Sequence, residues 1–220
     1  MNVKPKNLLY CGLLSSVLYV ATDLLASWSY PGYSSADRVY SEFLATGAPT
    51  RSFMLVVSLI YNLLVALFAV GVWKGAGPKR MAHITAAMMI LYAVTSELTP
   101  LFFQMDMRGA PVTLLGGLHP LMTAVMSLFI LLSIGFGGFL LGKGFRITSF
   151  ATIIILVVFG FLTSRQAPDL VAGGPTPWMG LIERINIYAT MLWFVLLSIS
   201  LARIERREPV AMQQYEHAWQ

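Results

Sequence analysis

Six long apolar runs divide this chain, and each is long enough to cross a lipid bilayer as a helix. They lie at 7–28, 53–73, 81–103, 112–142, 148–164 and 177–203. A membrane-spanning helix needs about 20 mostly apolar residues. The segments between the runs are rich in glycine, proline or charge, as loops usually are, for example "GAGPKR" and "MDMRGAP". The pattern predicts an all-α, polytopic integral membrane protein with a six-helix transmembrane domain over 1–203 and a tail at 204–220.

The connection between the first two runs has a helical pattern of its own, at about 34–46. Ser34 and Asp37 have the spacing of a capping box, which predicts that a helix starts there. Helical spacing then gives the segment an apolar face and a polar face. The apolar face comprises Val39, Tyr40, Phe43 and Leu44, and the polar face comprises Asp37, Arg38, Ser41 and Glu42. We expect a short outer helix at the membrane interface, which either closes the bundle or acts as a lid carrying Ser41 and Glu42.

Composition supports the membrane interpretation. The chain is 57% hydrophobic and 11% charged, whereas soluble domains are roughly 45–50% apolar and about 25% charged. The net charge of +5 is spread over short clusters between apolar runs. No contiguous basic face is available to neutralise phosphates, so we expect no nucleic-acid partner. Membrane lipids are the expected partners.

The basic residues predict an orientation in the membrane. Ten of them flank one set of helix ends: Lys4, Lys6, Lys74, Lys79, Arg80, Lys143, Arg146, Arg203, Arg206 and Arg207. Five lie at or near the opposite ends: Arg38, Arg51, Arg108, Arg165 and Arg184. Lys and Arg accumulate on the cytoplasmic side of membrane proteins. We therefore expect a multi-pass protein of the cell (inner or plasma) membrane with both termini in the cytoplasm.

Several charged or ionisable residues lie inside the predicted spans, where they are costly and usually mark a function. Asp23 and Glu97 lie about 8–9 Å from the outer ends of spans one and three, counting about 1.5 Å per residue. His119, Glu183 and Arg184 lie roughly 9–11 Å inside spans four and six by the same count. All five are thus at one depth, in the outer third, which predicts a polar site there.

The pairing of Arg184 follows from helix geometry. Consecutive residues point about 100° apart on a helix, so Glu183 and Arg184 cannot easily pair with each other. Asp23 and Glu97 are the candidate partners on other helices. Small and polar residues repeat at helical spacing on span one (Gly12, Ser15, Ser16, Tyr19, Asp23 and Ser27) and on span six (Glu183, Asn186, Thr190 and Trp193). Such stripes face neighbouring helices rather than lipid. The cluster is either a site for a ligand, ion or reaction, or an ionic network that fixes helix packing.

Four motifs resemble a known family. "YSEFLATGAP", "LTPLFFQMD", "TLLGGLHPLMTAV" and "GLIERINIYATMLWF" occur in this order, and they are similar to the bacterial and archaeal membrane family catalogued as domain of unknown function 998. The resemblance covers nearly the whole chain and implies six membrane helices without an established activity. The polar positions of the family correspond to Ser41, Glu42, Asp106, His119, Glu183 and Arg184 by this resemblance.

The sequence gives little support for specific catalytic chemistry. A catalytic zinc site needs about three protein ligands, but His119 is the single histidine at the right depth and no HxxH or HxxxH pair occurs. No Walker loop, GxSxG elbow or dinucleotide fingerprint occurs either. We therefore expect no metal and no cofactor. Metal-free catalysis by His119, an acid and a nucleophile such as Ser41 stays open.

We favour the binding or movement of a small amphiphile or lipid at the outer polar site, because that site lies within reach of the outer leaflet. The expected ligand-binding residues are Asp23, Ser41, Glu42, Glu97, Asp106, His119, Glu183 and Arg184. One alternative is an intramembrane hydrolase or transferase acting on a lipid. The other is a structural or regulatory membrane subunit whose ion pairs serve packing alone.

Overall fold

The protein is a bundle of long helices, described here from a computed structural model. The structure describes residues 5–75 and 80–218, with side chains described as far as residue 205. In order, the helices are α1 (Pro5–Leu9), α2 (Cys11–Ser29), a 3-10 helix (Tyr40–Leu44), α3 (Arg51–Gly75), α4 (Arg80–Phe102), α5 (Leu114–Gly137), α6 (Lys143–Arg165), α7 (Ala167–Val171) and α8 (Met179–Ala218). No strand occurs in these two ranges. The all-α prediction is therefore confirmed.

Six segments are long and apolar enough to span a membrane. They are Pro5–Ser29, which combines α1 and α2, then α3, α4, α5 and α6, and finally the Met179–Glu205 part of α8. Large apolar side chains on their outer surfaces are exposed, among them Val56, Leu128, Ile154 and Leu192. Water would disfavour so much contiguous apolar surface, whereas lipid tails accommodate it. The chain is a multi-pass membrane protein.

The six spans form a ring in chain order. Each span contacts the next one along the chain, in the order α2, α3, α4, α5, α6 and α8, and α8 contacts α2 to close the ring. We call one end of the bundle the cap end, and we call the three segments that it carries, 30–50, 103–113 and 166–178, the cap. The opposite end, where α5 turns into α6, is the tail end.

Side chains fill the tail half of the ring. Trp193, Phe194 and Phe68 are fully buried there. Glycines make room for the large rings: a methyl group added at Gly12 would lie 2.6 Å from the ring of Phe68. A methyl group at Gly137 would lie 2.6 Å from the ring of Trp193. The bundle is thus closed at its tail end by tightly packed aromatic side chains.

The helix within the apolar run predicted as one span at 112–142 is shorter than the run. Helix α5 ends at Gly137, and a turn then leads into α6 at Lys143. Thr113 caps the start of α5, since its hydroxyl accepts a hydrogen bond from the Gly116 N–H at 3.0 Å.

The outer helix predicted at 34–46 needs correction. Ser34 starts one turn, in which its carbonyl accepts hydrogen bonds from the N–H groups of Asp37 and Arg38. Helical structure resumes only as the five-residue 3-10 helix Tyr40–Leu44. Glu42, which the sequence places on the polar face of that helix, is buried, with 3% exposure. The physical reason is an ion pair with Arg108, which lies 66 residues away in sequence.

Some predicted features lie outside the described residues. Lys4, Lys79 and the side chains of Arg206 and Arg207, all used in the orientation prediction, are in this group. So are the side chains of the tail predicted at 204–220, apart from its first two residues.

Candidate functional site

Arg184 of α8 forms a bidentate ion pair with Asp23 of α2. Its Nε donates to Asp23 Oδ2 at 2.9 Å, and its Nη2 donates to Asp23 Oδ1 at 2.8 Å. Asp23 is 1% exposed and Arg184 is 5% exposed. Parallel donors facing both carboxylate oxygens give the strongest form of this contact. Of the two predicted partners for Arg184, the structure selects Asp23.

The remaining donors of Arg184 bind the cap. Nη1 lies within hydrogen-bond distance of the carbonyls of Ser35 at 2.8 Å and Arg38 at 3.0 Å, and Nη2 donates to the Tyr33 hydroxyl at 3.0 Å. Asp23 also accepts a hydrogen bond from the Tyr188 hydroxyl. All the nitrogens of the Arg184 guanidinium are therefore committed within the protein. The pair braces α2, α8 and the cap against one another.

The start of α8 and the loop before the 3-10 helix fit closely together. The Leu181 N–H donates to the Ala36 carbonyl at 2.9 Å, which satisfies one of the free N–H groups in the first turn of the helix. A methyl group added at Gly180 would lie 2.2 Å from the Arg38 carbonyl oxygen. Asp37 accepts from the Trp178 N–H and the Ser34 hydroxyl, and these bonds hold the pKa of Asp37 below its usual value.

A second, partly buried ion pair joins the 3-10 helix to the loop between α4 and α5. Arg108 Nη2 donates to Glu42 Oε1 at 2.7 Å. Arg108 Nη1 donates to the Gly174 carbonyl at 3.1 Å and to the Thr176 hydroxyl at 2.9 Å. Arg38 adds a third charge, at 3.7 Å from Glu42 Oε2. Arg108 thus links three segments of the cap end: the 3-10 helix, its own loop and the segment at 166–178.

Below the cap lies a cavity of about 640 Å³. Residues from the cap and from all six spans line it. Its volume falls within the range of about 300–1,000 Å³ that is usual for ligand pockets. The cavity occupies the cap half of the ring, above the aromatic packing of the tail half.

The cavity has polar and apolar walls. Helix α8 contributes Glu183, Asn186 and Thr190, which are spaced three and four residues apart and so share one face. Helix α5 contributes three polar side chains spaced four residues apart, His119, Thr123 and Ser127. Apolar side chains, including Ile130, Leu131, Leu156, Val157, Phe161 and Ile187, form much of the rest. A molecule with both a polar and an apolar part matches this lining.

The cavity is open on the side between α5 and α6. These two helices approach closely near the tail end, where a methyl group at Gly138 would lie 3.0 Å from the Cβ of Ser149. Nearer the cap, Val157 and Phe161 of α6 line the cavity and are still 54% and 62% exposed. The opening therefore faces the lipid-covered side of the bundle.

The eight predicted ligand-binding residues fall into two groups. Four of them line the cavity: Ser41, Asp106, His119 and Glu183. The other four are described by the structure but do not line the cavity: Asp23, Glu42, Glu97 and Arg184. Glu97 instead accepts hydrogen bonds from Ser58 at 2.8 Å and Asn62 at 2.9 Å, which join α4 to α3.

Two of the cavity-lining residues also have local structural roles. Asp106 accepts from the backbone N–H of Thr113 at 2.8 Å and from its hydroxyl at 3.0 Å, and so supports the start of α5. His119 Nδ1 lies 2.8 Å from the Phe103 carbonyl. A carbonyl only accepts, so Nδ1 carries the proton and Nε2 is the acceptor of the neutral ring.

Sequence reasoning missed the tyrosines of the cavity. Tyr19, Tyr40, Tyr61 and Tyr92 come from α2, the 3-10 helix, α3 and α4, and all four line it. The one available signal was the position of Tyr19 in the polar stripe of span one. Within the described residues, no three His, Cys, Asp or Glu side chains come together as a metal-binding group.

Comparison with known proteins gives a family and no closer relative. No curated protein and no solved structure matches the chain. The profile of the family described as "Protein of unknown function (DUF998)" matches residues 13–200. This match includes the cap, both ion pairs and the whole cavity. The chain belongs to the DUF998 family of proteins of unknown function.

Proposed function

We propose that this protein binds a small amphiphile or lipid in the cavity between its helices, and that it takes up or releases this ligand through the opening between α5 and α6. The observation that carries the proposal is the cavity itself: it measures about 640 Å³, combines polar side chains with an apolar wall contributed mainly by α5 and α6, and is open toward lipid. A lipid tail can enter such an opening without crossing water.

Contacts within the cavity favour binding over catalysis. An acid–base mechanism needs a base in contact with a nucleophile, about 2.6–3.2 Å apart. His119 Nδ1 is instead bonded to the Phe103 carbonyl, and within the described residues its Nε2 has no hydroxyl within hydrogen-bond distance. The Ser41 hydroxyl lies 3.3 Å from the sulfur of Met105. The ion pair of Asp23 and Arg184 has the features expected of the structural alternative, since it braces helices outside the cavity.

The proposal includes an orientation. We place the cap end on the outer side of the membrane and both termini in the cytoplasm, because more basic residues flank the tail end. The opening between α5 and α6 then faces the outer leaflet.

Saturable binding of a fluorescent amphiphile tests this function. The probe is a twelve-carbon chain with a neutral hydroxyl headgroup at one terminus and a dansyl group at the other. It is titrated into purified protein in nanodiscs. We expect saturable binding by the unaltered protein. Ser127→Trp should weaken it about tenfold or more, because an indole would fill part of the cavity, and tenfold corresponds to the loss of about 1.4 kcal/mol of binding free energy.

Leu128→Trp is the matched control. Leu128 is the next residue of α5, faces outward with 53% exposure and does not line the cavity, so its substitution should leave binding unchanged. Binding that never saturates would contradict the proposal. Equal binding by the Ser127 and Leu128 variants would contradict it too.

A further inference from the structure

Glu183 places a carboxylate in the cavity without a cation beside it. It lines the cavity and accepts a hydrogen bond from the backbone N–H of Tyr40. Among the described residues, no lysine, arginine or histidine nitrogen lies within 4.0 Å of its oxygens. The two fully buried carboxylates nearby do have such partners, since Asp23 pairs with Arg184 and Glu42 with Arg108. The Glu183 carboxyl group therefore has no basic side chain within 4.0 Å and can pair with a cationic group of a ligand.

A group of aromatic rings begins at Tyr40, beside this carboxylate. Tyr40, whose backbone binds Glu183, stacks on Tyr19 with ring centroids 4.5 Å apart. Tyr19 meets Tyr61 edge to face at 5.1 Å, and the hydroxyls of Tyr61 and Tyr92 lie 3.0 Å apart. These four tyrosines form a continuous aromatic group, which we call the tyrosine cluster. Aromatic faces attract cations, and clusters of them recognise quaternary ammonium groups.

The arginines near the cavity do not favour an anionic ligand. Arg184 is not a lining residue, and its donors are bound to Asp23, the cap carbonyls and Tyr33. Arg108 lines the cavity, but its Nε, Nη1 and Nη2 are all bonded to Glu42, Gly174 or Thr176. A phosphate or carboxylate headgroup would have to displace these contacts, whereas a cation would meet an unpaired charge.

We infer that the ligand carries a positively charged amine or quaternary ammonium headgroup, which lies between Glu183 and the tyrosine cluster. Its apolar tail follows the walls formed by α5 and α6. This inference rests on the proposed function and adds the chemical class of the ligand. The headgroup could belong to a phospholipid with an ammonium-bearing head or to a single-chain cationic amphiphile, since both present the same charge to the cavity.

A headgroup series tests the inference. Three dansyl probes share one twelve-carbon chain and differ only at the head: trimethylammonium, hydroxyl and sulfate. In nanodiscs at pH 8, we expect trimethylammonium to bind about tenfold tighter than hydroxyl, the size expected for one desolvated cation contact. Sulfate should bind more weakly than hydroxyl. Glu183→Gln should bring the trimethylammonium and hydroxyl affinities close together, while its amide oxygen can still accept the Tyr40 N–H.

Glu97→Gln is the matched control, because Glu97 is also a membrane-embedded acid but lies outside the cavity lining. It should keep the preference for trimethylammonium.

Competition distinguishes the two ligand sources. Displacement of the probe by dioleoyl phosphatidylcholine, added against a background of anionic lipid, indicates a phospholipid. Displacement by dodecyltrimethylammonium alone indicates a single-chain cation.

The outcomes separate the inference from the function on which it rests. Equal binding of the trimethylammonium and hydroxyl probes overturns the inference and leaves amphiphile binding intact. A preference that survives Glu183→Gln overturns the role of the carboxylate. Failure of all three probes to bind saturably overturns both the inference and the proposed function.

Discussion

At the scale of single residues, two neighbouring charged residues of α8, Glu183 and Arg184, have different roles. Glu183 and Arg184 are consecutive, and a step of about 100° turns one toward the cavity and the other toward α2. Arg184 is neutralised by Asp23, and the pair is buried between helices. Glu183 lines the cavity with no such partner among the described residues. The arginine contributes to the architecture, and the glutamate contributes to our proposed site.

Removing the Arg184 charge should destabilise the protein. Arg184→Leu leaves Asp23 buried and unpaired, which typically costs about 3–5 kcal/mol in the free energy of unfolding. Combining it with Asp23→Asn removes both charges and should restore much of the lost stability. The measurement is thermal unfolding in detergent, arranged as a double-mutant cycle.

The same cycle with Glu97→Gln serves as its control. Glu97 bonds to Ser58 and Asn62 rather than to Arg184, so the effects of the two substitutions should add. Additive effects for Asp23→Asn with Arg184→Leu would show that the observed ion pair contributes no coupling.

At the scale of elements, the cap depends on close backbone contact. Gly180 is the second residue of α8, and a methyl group there would lie 2.2 Å from the Arg38 carbonyl oxygen and 2.6 Å from the Ser35 carbonyl oxygen. Both of these oxygens also accept from Arg184. The loop and the start of α8 can therefore keep their contacts only if the side chain at position 180 is absent.

Gly180→Ala should lower the free energy of unfolding by about 1–3 kcal/mol, the usual cost of overpacking. Gly144→Ala is the control, because Gly144 is the second residue of α6 and has open space where the methyl group would lie. That substitution should be neutral or stabilising by up to about 1 kcal/mol, since alanine is the better helix former. Thermal unfolding of both variants in one detergent gives the comparison. Equal stability of the two variants would mean that the close contact is absent.

The helices also show which parts of the fold could be predicted from the sequence. The six spans follow from apolar runs of sufficient length, because in lipid a helix satisfies its own backbone hydrogen bonds. The cap segment was harder to predict. Local periodicity placed Glu42 on a polar face, but Arg108, distant in sequence, binds it in the interior. Local patterns carry no information on such a partner.

The site was predictable only in part for the same reason. Depth counting identified Asp23, Glu97, His119, Glu183 and Arg184 as lying at one level, and helix phase disfavoured pairing of Glu183 with Arg184. Which of these residues face the cavity depends on how the six helices rotate in the ring. The tyrosine cluster combines residues from four helices, so the residue spacing within any one helix does not predict it.

At the scale of the whole molecule, orientation decides which leaflet the opening faces. We predict that a reporter fused at Pro209 is cytoplasmic and that one inserted at Ala48 is external, because the tail end carries the larger share of basic residues. Paired phosphatase and fluorescent-protein fusions measure this directly. The reverse pattern would place the cavity in the inner leaflet and leave its ligand chemistry unchanged.

The central claim is that a lipid-like molecule occupies the cavity, and photo-crosslinking in bicelles tests it most directly. The probe is a phosphatidylcholine with a diazirine near the end of one chain, and mass spectrometry locates the adducts. Ile130 and Met191 line the cavity and are 5% and 4% exposed, so a lipid on the outer surface cannot reach them. We predict adducts at these two residues that Ser127→Trp abolishes, while adducts at the outward-facing Leu192 persist. Adducts confined to outward-facing residues such as Leu192 would contradict the account.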